Sequence, residues 1–121
     1  MPDAIDATRL INAAWKLLEA MDGGQSMSLW ERASPAALAC AHADALGESV
    51  DAQRREMGGV RHRRWVSVQR RASDGKGDLP SGHYVNVVFD VAFGDGQPGQ
   101  ELITLRHDAD GVWRLSGYAL R

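Results

Sequence analysis

The stretch Gly82-His83-Tyr84-Val85-Asn86-Val87-Val88-Phe89-Asp90-Val91-Ala92-Phe93 decides the fold. It is the longest run of β-branched and aromatic residues in the chain, and it holds no proline. An extended chain alternates its side chains between two faces. His83, Val85, Val87, Phe89, Val91 and Phe93 therefore share one face, and Tyr84, Asn86, Val88, Asp90 and Ala92 the other. The first face is a continuous apolar stripe and needs a cover. The long helical patterns all lie upstream of it, which places helices on one side of an antiparallel sheet.

Upstream, Leu10, Ile11, Ala14, Leu17, Leu18 and Met21 repeat at helical spacing, and Trp15 widens the stripe. Asp3 is the expected N-cap, with Asp6 near the positive helix end, and Gly23-Gly24 stops the helix. Ser28 and Glu31 have capping-box spacing for a short second helix, and Ser34-Pro35 restarts the chain as a third. Gly47 is expected to break or bend the segment that follows, with a further helix from about Ser49 to Met57. From Arg63 the period changes to two, with Trp65, Ser67 and Gln69 opposing Val66, Val68 and Arg70. Turn-rich connections at 72–82 and 94–100 flank the central strand; Glu101–His107 and Val112–Leu120 pair across the turn Asp108-Ala109-Asp110-Gly111. The fold class is α+β: one domain over 1–121, with N-terminal helices (about 4–57) packed on a four-stranded antiparallel meander (about 63–120).

Loop lengths set residues 89, 91 and 93 opposite 105, 103 and 101. Across the last turn, Glu101, Ile103, Leu105 and His107 then share a face with Val112, Arg114, Ser116, Tyr118 and Leu120. Leu102, Thr104 and Arg106 share the other with Trp113, Leu115, Gly117 and Ala119.

With 121 residues, 44% of them hydrophobic and 25% charged, the chain can bury a core of its own. The net charge of −2 hides an asymmetry: seven arginines against one acid over residues 54–71, between two acidic segments. Cys40, the lone cysteine, excludes an internal disulfide and fits a reducing compartment. It lies in an alanine-rich helical stretch, where it is expected to be a small core residue. No apolar run approaches the ~20 residues of a membrane helix, so no membrane insertion is expected. The opening Met-Pro-Asp-Ala-Ile-Asp is no signal peptide; the chain as it stands reads as cytoplasmic, or periplasmic if a leader was removed.

His42, His62, His83 and His107 form no zinc spacing, and no Cys-x-x-Cys exists, so no metal is expected. There is no nucleophile elbow and no phosphate loop, and no cofactor is expected. In a regular strand Arg64 and Arg70 leave one face and Arg61, Arg63 and Arg71 the other. Charge split in this way, with Trp65 as the single interleaved aromatic, argues against nucleic acid and for an acidic protein partner.

Three motifs resemble, in order, the bacterial domain-of-unknown-function family numbered 4019. They are Arg54-x-x-Met57-Gly58-x-Val60-x-x-Arg63; Gly82-x-Tyr84-Val85 with Phe89 and Phe93, followed by Glu101-x-Ile103-Thr104-Leu105; and Gly111-x-Trp113-Arg114-Leu115-x-Gly117-Tyr118-x-Leu120-Arg121. Trp15 and Trp30 also sit where that family carries tryptophans in its N-terminal helices. The resemblance implies a cone of the nuclear-transport-factor-two-like (cystatin-like) kind, with helices against a curved sheet and a tendency to dimerise. Residues 35–57 depart most from the pattern.

Two functions follow. The first is a non-enzymatic protein-binding module, a homodimer like the cones that serve in envelope assemblies or as toxin-neutralising immunity proteins. Its interface would be the second sheet face: Tyr84, Val88, Asp90, Leu102, Arg106, Trp113 and Leu115. The alternative is a small-molecule-binding or isomerase-like enzyme, since fold relatives use an acid or histidine base with a tyrosine donor. Here Tyr118 would donate, Glu101 or His107 would act as base, and Arg114, Ser116 and Tyr118 would form the pocket rim. In the plainer reading Tyr118 fills the core, Glu101 pairs with Arg114, and Asp90 is an outward partner for Arg106 or Thr104.

Overall fold

A computed structural model of the chain describes residues 5–40, 43–55, 57–77, 79–94 and 96–121. Four helices come first: α1 (Ala7–Asp22), α2 (Ser26–Glu31), α3 (Pro35–Leu38) and α4 (Ala43–Arg55). Four strands follow: β1 (Val60–Ser73), β2 (Gly82–Phe93), β3 (Pro98–His107) and β4 (Trp113–Leu120). The strands lie side by side in chain order, and every neighbouring pair is antiparallel. The architecture is the α+β arrangement that the Phe89 stripe demands.

The first turn of α1 is closed by Asp6, whose carboxylate accepts the backbone N–H of Arg9 at 3.1 Å. Asp3, the expected cap, lies outside the described residues. Leu10, Ala14, Leu18 and Met21 are the buried stripe of α1. Ser28 and Glu31 do not box the start of α2, because that helix already begins at Ser26 and both lie inside it. Nor does Gly47 break the chain. It sits within α4, where a Cβ would stand 3.3 Å from the Cα of Met27. A glycine inside a helix costs about 1 kcal/mol relative to alanine. Its return here is the close crossing of α2 and α4, which buries Trp30 and Val50. Cys40, expected in the core, lies just beyond the end of α3 and is exposed.

Three ladder irregularities set which residues meet. Between β2 and β3 the partners are Phe89↔Glu101, Val87↔Ile103 and Val85↔Leu105, four positions from the expected register. An even slip keeps every side chain on its expected face, so the stripe survives. Between β3 and β4, Thr104 pairs with Gly117 and Leu105 with Leu115, leaving Ser116 as an extra residue. This bulge reverses the expected faces beyond it. Trp113 and Leu115 turn to the helix side with His107 and Leu105, and Arg114 turns to the open side with Arg106. Leu115 belongs to the core cluster, with Trp113 packed against it, so neither is available to a sheet-face interface.

β1 opens at Val60, three positions earlier than expected, and slips between Val60 and His62 and again between Trp65 and Ser67. Its partners place Arg63, Trp65, Val68 and Arg70 on the helix side, and Arg64, Ser67, Gln69 and Arg71 on the open side. The second slip separates Arg64 from Arg70, which a regular strand would have grouped.

The helix-covered core gathers Leu10, Ala14, Leu18, Trp30, Val50, Val85, Val87, Phe89, Ile103, Leu105 and Leu115. Phe89 is fully buried, and the Trp15 ring leans on it at 5.7 Å between centroids. Among the described residues no helix is long and apolar enough to cross a membrane.

Phe89→Ala leaves a cavity under Trp15 and is expected to cost ~3–5 kcal/mol, read as a lowered urea midpoint with an unchanged slope. A midpoint equal to wild type would show that the core is elsewhere. Gly47→Val drives two methyl groups into the α2 backbone and is expected to cost ~1–3 kcal/mol on the same scale.

Candidate functional site

Glu101 lies on the helix-covered face, in the end pair of the β3–β4 ladder opposite Leu120. Its parity with Ile103 and Leu105 turns it inward, and it has no exposed surface. A carboxylate so placed must be paired or hydrogen-bonded. Arg63 of β1 does most of this, with Nη2 2.7 Å and Nε 2.8 Å from Oε1. The Tyr118 hydroxyl of β4 donates to Oε2 at 2.7 Å. Arg54, from the last turn of α4, stands with Nε 3.6 Å from the same Oε2. Asp22, ending α1, takes the other side of Arg63 at 2.9 and 3.1 Å, and also accepts Arg54 Nη2. Two carboxylates and two guanidiniums thus balance. The Arg63 guanidinium lies 5.8 Å from the centroid of the Trp15 ring, and that of Arg54 5.9 Å from the centroid of the Tyr118 ring.

This is where two of the residues suited to chemistry meet, but in a spent state. Burial, with the Glu101 carboxylate beside it, pushes the Tyr118 phenol far above the usual tyrosine range, so it stays protonated. Its hydroxyl hydrogen is already engaged in the bond to Glu101, and both Glu101 oxygens are engaged. A base needs a free lone pair within reach of a substrate. A depression of about 360 Å³ lies beside the cluster; Asp22 and Arg54 line it, and Glu101 and Tyr118 do not.

The remaining expected site residues are dispersed. His107 lies six positions along β3 from Glu101, its ring 4.9 Å from that of Trp113. Arg114 does not pair with Glu101. Its Nη1 reaches Asp108 at 3.1 Å and Asp110 at 3.0 Å, and its Nη2 reaches Asp110 at 2.7 Å. Ser116 is the bulged residue, so Arg114, Ser116 and Tyr118 form no common rim.

A second polar node surrounds Asp108, whose side chain is nearly buried. It accepts Ser34 Oγ at 2.6 Å, Arg106 Nη1 at 2.7 Å and Arg114 Nη1 at 3.1 Å. Ser34 caps α3 by position, but its hydroxyl goes to Asp108 instead of the helix, and its N–H donates to Leu115 O at 2.8 Å. The node ties α3 to the β3–β4 turn. With no imidazole in it, it is no catalytic triad. Burial pushes the Asp108 carboxyl up, but the hydrogen bonds from Ser34, Arg106 and Arg114 outweigh that and hold it below the usual aspartate value.

On the open sheet face, Asp90 pairs with Arg64 at 2.9 Å and Gln100 at 3.1 Å, not with Arg106 or Thr104. Hydrogen bonds from these two neighbours hold its carboxyl low. Thr104 donates to Asn86 at 2.8 Å. Tyr84 is fully buried: its hydroxyl donates to Pro80 O at 2.7 Å, and Arg106 lies 5.9 Å from its ring centroid and donates to Ser81 O at 2.8 Å. Gly82, at φ +152°, holds a backbone conformation that other residues rarely adopt, and it packs directly beneath the Arg106 guanidinium. Tyr84 and Arg106 thus serve the chain's own loop. Asp90 and Leu102 remain on the uncovered part, with Val88 beside Leu102 and itself buried. Among the described residues no three His, Cys, Asp or Glu side chains converge as metal ligands would.

Sequence reasoning missed Asp22, Arg54 and Arg63. Nothing in their spacing links positions 41 and 38 residues apart. The one available signal was an arginine on the core parity of a strand.

The molecule is thus an α+β protein of helices on an open four-stranded sheet, closed around a neutralised charge cluster. Residues 13–118 match the family described as a protein of unknown function (DUF4019), and the chain belongs to that family. No curated protein and no solved structure matches it.

Glu101→Gln removes the charge that Arg63 and Arg54 face and is expected to cost ~3–5 kcal/mol in denaturant unfolding. The Asp108 node adds a pH signature. A depressed folded pKa gives stability that is complete above the unfolded value, 3.8, and lost as pH falls below it. The stability gap between wild type and Asp108→Asn should therefore narrow in that acid window, measured by urea unfolding from neutral pH downward.

Proposed function

We propose that this chain is a non-enzymatic protein-binding module that self-associates through the uncovered face of its sheet. A nuclear-transport-factor-two-like dimer acting as an assembly component or a toxin-neutralising immunity protein is the finer form of this reading. The observation that carries it is the state of Glu101 and Tyr118. The acid is fully buried with both oxygens occupied, and the phenol's proton is committed to it. The pair most suited to chemistry is held by the protein itself and does not line the depression beside it.

The uncovered face supports the binding half. Val88 and Leu102 are adjacent apolar residues there, with Ala119 beside Leu102 and Ser67 beside Val88. The polar groups around them are already joined in pairs, Asp90 to Arg64 and Thr104 to Asn86. A partner can cover them without stranding a buried donor or acceptor. With Trp113 and Leu115 turned inward and Val88 only 8% exposed, Leu102 is the apolar residue that such an interface must use.

Two measurements test this. Tyr118→Phe strips a hydrogen bond to a charged acceptor and is expected to cost ~1.5–3 kcal/mol of stability. Catalytic groups are often replaced at no cost or with a gain in stability, so a stabilised Tyr118→Phe would favour the enzyme. Leu102→Asp should convert a dimer to a folded monomer in sedimentation, because an isologous interface would bury the new charge twice. A wild-type chain that sediments as a monomer at tens of micromolar would overturn the self-association.

A further inference from the structure

β1 is an edge strand of 14 residues, hydrogen-bonded to β2 on one side. Its middle is unusual. The ladder slips between Trp65 and Ser67, so Val66 has no partner residue on β2. Trp65 is 46% exposed and Val66 41% exposed, and they are neighbours. Among the described residues the other exposed large hydrophobics, Met27 and Val112, lie elsewhere in the chain. Arg61 and Arg64 precede the pair and Arg70 and Arg71 follow it, all exposed, while β1 itself carries no acidic residue.

The disposition of these arginines selects a ligand shape. Arg64, which also holds Asp90 at 2.9 Å, and Arg71 lie on the open side of the sheet, and Arg70 on the helix side. A flat bilayer or a duplex meets one side of an edge. An extended peptide laid along the edge sends alternate side chains to both sides, and so meets both sets of charges. We propose that the β1 edge is a docking site for an extended acidic segment of another protein. The segment adds as a fifth strand, with an apolar residue against Trp65 and Val66 and carboxylates against the flanking arginines. A second copy of this chain does not fit when its edge is centred on the same exposed pair. Antiparallel pairing of two β1 edges centred on Val66 would set Arg61 against Arg71 twice. Trp65 and Val66 lie outside the residues of the sheet-face dimer, while Arg64, paired with Asp90, borders both surfaces.

The probe is a fluorescein-labelled peptide of about a dozen residues, a central pair of valines flanked on each side by consecutive glutamates so that carboxylates leave both faces, matched to the length of β1. Its partners in the experiment are a lysine–valine analogue, oligoglutamate, a short oligonucleotide and phosphatidylglycerol vesicles. The glutamate–valine peptide should bind saturably, more weakly as salt rises, with new exchange protection at backbone N–H groups of β1. Arg61→Glu with Arg71→Glu should weaken it about tenfold or more, and Trp65→Ser about fivefold. Both sites are exposed, and circular dichroism checks that the variants are folded. Arg9→Glu, also exposed but on α1, should leave binding unchanged. Absence of saturable binding, equal binding of the lysine analogue or of oligoglutamate, or protection away from β1 overturns the proposal. So does tighter binding of the oligonucleotide or the vesicles.

Discussion

The ion pair between Arg63 and Glu101 is the constraint on which the rest depends. Neither group tolerates burial alone, and each is almost wholly removed from water. Satisfying them recruits one residue from nearly every major element: Arg63 from β1, Glu101 from β3, Tyr118 from β4, Asp22 from α1 and Arg54 from α4. The apolar contacts say that helices cover the sheet. The charge cluster says where: the C-terminal ends of α1 and α4 must both come to rest above it. A purely apolar core would tolerate helices sliding by a turn, and this one does not.

Much of the architecture was legible because period and parity are robust signals. The stripe from Val85 to Phe93 stayed on one face even though the β2–β3 register lies four positions from the expected one, since an even slip preserves faces. What sequence did not show were the odd slips. Single extra residues at Val66 and Ser116 leave no mark in composition or spacing, yet each reverses parity for the rest of its strand. That is why Trp113 and Leu115, expected on the open face, belong to the core side.

The site was legible in kind but not in partnership. Glu101 and Tyr118 stood out because of their residue types, and they do touch. Arg114 was the expected counter-ion since it is near in the assumed register; the actual one is Arg63, from a strand whose turn inward depends on a bulge. Gly47 shows the same limit. A glycine in a helical pattern reads as a breaker, while its use here is a close crossing that only the positions of two helices reveal.

The meander and the charge cluster also differ in the length of chain they close. Each ladder joins strands adjacent in the sequence, so the sheet can assemble from hairpins. The Arg63–Asp22 and Arg63–Glu101 contacts close 41 and 38 residues, and Ser34 to Asp108 closes 74. Loops of that size form after local structure has limited the search. Desolvating the guanidinium before its partners arrive would be costly at any earlier stage. The cluster is therefore a late lock on an already assembled sheet, and its strength lies in holding the native state shut more than in hastening its formation.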